Sequence, residues 1–153
     1  MNISLVLNLK EKIEPNKLAH INLLYSASYF RSLIALNLKP YGLTVEQFNV
    51  LRIVAGANSN YLTSKQIAAR MIDKCSNVSR IIDKLESKNL LSRIKSPIDK
   101  RVSYLFITAE GKAKIELVSA HIQPFLDNLL NLSDEESVLL NKLLDKARIL
   151  NVK

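Results

Sequence analysis

Between Ser76 and Lys84 the sequence reads SNVSRIIDK, which sets short hydrogen-bonding side chains and two cations beside a helical apolar repeat. Val78, Ile81, Ile82 and Leu85 recur at i, i+3, i+4 and i+7, the spacing of one buried helix face. Ser76, Asn77, Ser79, Arg80, Asp83 and Lys84 are left on the other faces. Serine and asparagine offer donor and acceptor atoms to base edges, and arginine can grip guanine bidentately or clamp a phosphate. Lys84, with Lys65 upstream, would neutralise backbone phosphates. By itself such a face also suits plain contact with water.

The residues on the C-terminal side of the repeat favour nucleic acid. Asn89 is a natural helix stop, because asparagine tolerates the left-handed conformation. Leu90–Lys95 and Val102–Ile107 alternate as strands, joined by the loop Ser96–Arg101. Helix, strand, basic loop and strand is the order of a winged helix-turn-helix, with a recognition helix over 76–88 for the major groove and a wing over 96–101 for the minor groove. Lys95, Asp99, Lys100 and Arg101 gather at the wing, where a guanidinium suits a narrow minor groove. Asp99 and Arg101 could also be no more than an exposed ion pair. The charge distribution supports the wing: residues 65–101 hold ten Lys and Arg against four acids, which is +6 of the net +8.

The positioning elements are mainly helical. The spacing predicts a long helix over Pro15–Leu38, ended by Pro40 and Gly42 and apolar on more than one side. Thr44 is placed to cap Val45–Ala57, whose inward side would use Phe48, Leu51, Ile53 and Val54. Asn58–Leu62 reads as a loop, with Tyr61 and Leu62 suited to a short strand. Thr63 and Gln66 have capping-box spacing ahead of Ser64–Met71, and Asp73 or Ser76 would begin the recognition helix. After Thr108 and Gly111 two helices are expected, Ala109–Leu130 and Ser133–Asn151, rich in Leu and Ile. The 153 residues suit one domain, with a lobe over 44–108 and terminal helices over 14–40 and 109–151.

From Asp99 onward the chain resembles the MarR-type winged-helix transcription regulators. That family's wing is Asp-x-Arg, an alternating strand, Leu/Ile-Thr, and a Gly opening the next helix. Here those are Asp99-Lys100-Arg101, Val102–Phe106, Ile107-Thr108 and Gly111. Upstream, Gly42-Leu43-Thr44 with Gln47, Phe48 and Leu51 is similar to the start of the family's second helix. Leu62-Thr63 with Ile67-Ala68 is similar to its third, and Ser76–Leu91 to its recognition helix. The resemblance spans about residues 16–150, with two departures: Asn89 replaces the usual Gly, and Lys74-Cys75 is unlike the usual helix start.

The resemblance implies a homodimer joined by its N- and C-terminal helices, binding a palindromic double-stranded operator, with Arg101 in the minor groove oriented by Asp99. It implies a repressor released by a small phenolic or other organic ligand, for which Tyr25, Tyr29, Arg31 and Tyr41 are candidates. Core packing is the competing role for those tyrosines. A non-sequence-specific architectural or RNA-binding winged helix is the alternative function.

Other chemistries find no support in the residues. No nucleophile–base pair or phosphate-cradling Gly loop suggests an enzyme, and no cofactor is expected. His20 and His121 lack metal-ligand spacing, and the single Cys75 excludes an intrachain disulfide. Cys75 beside Lys74 could be a redox thiol or an incidental small residue. Met1–Leu9 is apolar but short and without a basic leader, and no stretch approaches a membrane span, so a cytoplasmic protein is expected.

Overall fold

The computed structural model describes residues 3–8, 13–57, 61–74 and 77–149. Ser76, Cys75, loop residues 58–60 and the end of the expected last helix lie outside the described residues. The chain forms two compact units, Met1–Ile122 and Gln123–Lys153.

In the first unit a short helix, α1 (Ile3–Val6), precedes α2 (Pro15–Leu38), whose proline occupies the first turn where its missing N–H is harmless. A single 3-10 turn, Lys39–Tyr41, ends at Gly42 with φ of 67°, a left-handed conformation that suits glycine. α3 (Val45–Ala55) then opens on a capping box: the Thr44 hydroxyl accepts from the Gln47 N–H, and Gln47 Oε1 accepts from the Thr44 N–H. Thr63 and Gln66 build the same device at the head of α4 (Ser64–Arg70). Both helices end one or two residues earlier than the spacing predicted.

The helix of interest, α5 (Val78–Ser87), starts later than Asp73 or Ser76 because the Asn77 side chain takes the Arg80 N–H and caps it there. Its end is a Schellman turn: Asn89 sits at φ 55°, Leu90 N–H bonds Leu85 O, and Asn89 N–H bonds Glu86 O. Asparagine thus serves where glycine would be expected.

Three antiparallel strands follow the order β1-β3-β2, with β1 (Leu62–Thr63), β2 (Leu91–Lys95) and β3 (Ser103–Ile107). β2 pairs Leu91 with Ile107 and Lys95 with Ser103, while β1 pairs Leu62 with Leu105. β1 lies one residue beyond the Tyr61-Leu62 strand read from the sequence. The core joins α3, α4, α5 and the sheet through Val50, Leu51, Leu62, Ile67, Ile82, Leu85 and Leu105, all fully or almost fully buried. Each such side chain contributes about 1.5–3 kcal/mol of burial. Within α3 it is Val50, not Ile53, that is fully buried.

α6 (Ala109–Asp127) opens where Thr108 Oγ1 donates to Asn89 O at 2.7 Å and accepts from Gly111 N–H at 2.9 Å. A Cβ on Gly111 would lie 2.1 Å from the Leu90 carbonyl oxygen, so this corner admits only glycine. The Thr-x-x-Gly pattern is therefore a packing requirement of the wing root. α6 runs into the second unit, where α7 (Asp134–Ala147) carries a third capping box, Ser133 with Glu136. No residue of α7 is buried, and Val138, Leu139 and Leu143 are exposed.

Candidate nucleic-acid interface

α5 is strongly two-sided. Ile82 and Leu85 are fully buried, with Val78 and Ile81 half-buried beside them, while Ser79, Arg80, Asp83 and Lys84 are exposed. Asn77 is exposed too, but its Oδ1 already accepts the Arg80 N–H at 3.2 Å, so its first task is to hold the helix start. Lys65 is exposed at the first turn of α4. Arg80 and Lys84 border a shallow groove of about 390 Å³ that also takes in Thr44, Gln47 and Asn77.

The loop between β2 and β3 is equally ordered. Arg101 is 91% exposed in its side chain, and its Nε and Nη2 donate to the Asp99 carboxylate at 3.1 and 3.2 Å. The backbone N–H of Arg101 bonds the same carboxylate at 3.0 Å. The Arg101 guanidinium, and then this N–H, hold the Asp99 carboxyl below its ordinary value, against a smaller opposing effect of lost hydration. Lys95 at the end of β2 and Lys100 in the loop are both exposed. The wing thus presents three cations, one of them held in a fixed direction by a carboxylate.

One member of this surface is not evident from the sequence. Arg93 on β2 reaches the Asp83 and Glu86 carboxylates of α5, joining the wing's first strand to the helix. The strand periodicity places Arg93 correctly, but nothing in it locates these partners.

The four ligand candidates do not converge. Arg31 borders a cleft of about 850 Å³ with Leu36, Lys39, Leu43, Lys84 and Lys88, and pairs with Glu46 and, at 3.6 Å, with Asp73. None of the three tyrosines lines that cleft. Tyr25 stacks on Tyr29 along α2, and Tyr41 packs on His121 with its ring centroid 5.3 Å away. Among the described residues no group of three His, Cys, Asp or Glu could hold a metal ion.

The sequence model described as the MarR family matches residues 43–103, from the start of α3 through the wing. Over this stretch the chain is similar to the MarR family. The HTH-type transcriptional repressor MdtR of Bacillus subtilis is 35% identical over 103 residues, covering 67% of this chain and 65% of that one. MarR of E. coli, in its wild-type apo form, is 26% identical at a TM-score of 0.67, covering 90% of this chain and 99% of that one. A mutant of the same protein complexed with operator DNA superposes better, at a TM-score of 0.77 with 24% identity and the same coverage. BpsR of Bordetella bronchiseptica, whose DNA binding is regulated by 6-hydroxynicotinic acid, has a TM-score of 0.72 at 22% identity, covering 86% of this chain and 98% of that one. These MarR-family relatives are transcription regulators, not enzymes. No described helix is long and apolar enough to cross a membrane.

Proposed function

We propose that this protein is a homodimeric, sequence-specific DNA-binding transcription regulator of the MarR family that represses its target genes and is released by an organic ligand. α5 enters the major groove, with Ser79 and Arg80 at base edges and Lys84 and Lys65 on phosphates. Asn77 belongs to the same contact surface at the head of the helix, and Ser76, outside the described residues, is a further candidate by its sequence position. Lys95 and Lys100 neutralise backbone beside the wing, and Arg101 enters the minor groove.

The observation that carries the reading is the pairing of an exposed Arg80 face on a buried-backed helix with an Arg101 tip fixed by Asp99. Two separate surfaces for two grooves are more than solubility requires. Dimerisation is supported by the large apolar side chains that each unit leaves exposed: Leu23, Leu24 and Leu36 on α2, and Leu139 and Leu143 on α7. Ligand release is supported by the cleft beside Arg31, whose lining includes Lys84 of the recognition helix.

The test is a gel shift against the region upstream of the protein's own gene, at several salt concentrations. Binding should weaken steeply with salt, and Arg101→Ala should reduce it. Equal affinity for this region, random duplex and RNA would instead assign the chain to the non-specific alternative.

A further inference from the structure

Ser96 stands at the base of the wing loop and is only 3% exposed, the one small hydroxyl residue among the buried polar side chains described. Its Oγ donates to the Tyr104 hydroxyl at 3.1 Å and accepts from the backbone N–H groups of Ile98 and Asp99, each at 3.3 Å. The two amides it holds belong to the residues that set the direction of the loop tip. Asp99 is the second of them, and its carboxylate holds both the backbone and the guanidinium of Arg101.

At the other end of this connection the Tyr104 ring is fixed by its neighbours. Tyr104 lies on the central strand β3, where it is paired on one side with Ile94 and on the other with Thr63. The ring of Tyr61, just before β1, packs on it at a centroid distance of 4.3 Å. A hydroxyl on such a ring has a defined position, so a serine that bonds to it also has one. The polar atoms of a loop tip usually satisfy themselves with water. Here they are turned inward onto one buried oxygen.

We infer that Tyr104 and Ser96 are positioning residues for Arg101: the Tyr104 hydroxyl fixes Ser96, Ser96 fixes the amides of Ile98 and Asp99, and Asp99 aims the guanidinium. This rests on the minor-groove role proposed for Arg101, and it adds a specificity determinant that touches no DNA. A guanidinium aimed before binding loses less freedom on entering the groove, which favours sites whose minor groove is narrow at one set position.

The experiment combines two measurements on the full chain. The first is amide hydrogen exchange by NMR on the free protein, comparing wild type, Tyr104→Phe and Ser96→Ala. Tyr104→Phe keeps the ring and its packing on Tyr61, and exchange at Ile98 and Asp99 should quicken several-fold while Leu105 stays unchanged. The second is a double-mutant cycle with Arg101→Ala on a duplex selected by the wild-type protein from a randomised pool. Tyr104→Phe should weaken binding about two- to tenfold when Arg101 is present, the scale of one lost hydrogen bond, and have no effect when it is absent. Unchanged exchange at both amides, or an equal loss of binding in both backgrounds, would overturn the proposal. If Arg101→Ala alone leaves binding intact, the minor-groove reading fails, and the exchange data still decide the link from Tyr104 to Asp99.

Discussion

Arg93 Nη2 lies 2.5 Å from Asp83 Oδ1, so the first strand of the wing is joined by an ion pair to the exposed side of α5. Glu86, one turn further, stands 3.2 Å from the same nitrogen. An acid on the proposed DNA face would repel phosphate, and Arg93 offsets the charge of Asp83 there. The pair is partly exposed, so its direct worth to stability is about 0–1 kcal/mol. Arg93→Met should leave the melting temperature nearly unchanged yet weaken operator binding and make its loss with salt shallower. Calorimetry beside fluorescence anisotropy at two salt concentrations checks both halves.

Arg80 distinguishes base reading from phosphate clamping. It projects from the first turn of α5, where a major-groove helix meets base edges. Arg80→Ala should cost about 1–3 kcal/mol on the preferred operator and relax the preference at one base pair. A panel of single-base operator variants measures this. A uniform loss across the panel would place Arg80 on a phosphate.

Asp99 sets how the wing responds to acid. Its carboxyl is held below the ordinary value of 3.8 by the Arg101 guanidinium and N–H. A carboxylate depressed in the folded state makes its contribution above the unfolded pKa and loses it as pH falls through the folded one. The Asp99–Arg101 pair should therefore stay intact throughout the neutral range and open only in acid, below about pH 4. An NMR titration of the Asp99 carboxyl should give a midpoint below 3.8, moving up toward it in Arg101→Ala.

Much of this surface is legible from residue types. Thr44, Thr63 and Ser133 cap the helices that their spacing indicates, and Asn89 takes the left-handed position expected of a helix stop. Both long strands fall within a residue of their alternating pattern. These features are local, and local chemistry is written in consecutive residues. The contacts that residue types do not disclose depend on register between distant segments: Arg93 meeting Asp83, Ser96 turned inward to Tyr104, and Arg31 drawn to Glu46 and Asp73. Phe48, Leu51 and Val54 are buried as expected, and Val50 completes their face at i, i+3, i+4 and i+7 from Gln47, which leaves Ile53 beside it.

Gly111 is a stability hot point with no polar role. A methyl group there would overlap the Leu90 carbonyl and touch Ile107 Cγ1 at 2.9 Å. Gly111→Ala should destabilise the protein by about 1–3 kcal/mol, the usual cost of overpacking, as read by urea unfolding. Because Leu90 is the residue before β2, operator affinity should fall with it.

Leu139 and Leu143 are both more than half exposed on α7, one turn apart. Leu139→Arg should convert a dimer into a monomer in light scattering and abolish cooperative operator binding, while α5 and the wing keep their near-native spectrum. A variant that remains dimeric would move the interface to other residues.

β3 is the shared partner of β1 and β2, and this bears on what the protein can recognise. Leu62 and Thr63, which lead directly into α4, are bonded to the same strand that forms one arm of the wing. The wing is thus joined to the helix-turn-helix through the sheet along one edge, where β3 pairs with β1. With α5 and Arg101 as the proposed groove contacts, their separation within one half-site would act as a ruler set by this sheet. Evolution of a new operator would have to change the letters read at each end of that ruler, because its length is set by the sheet.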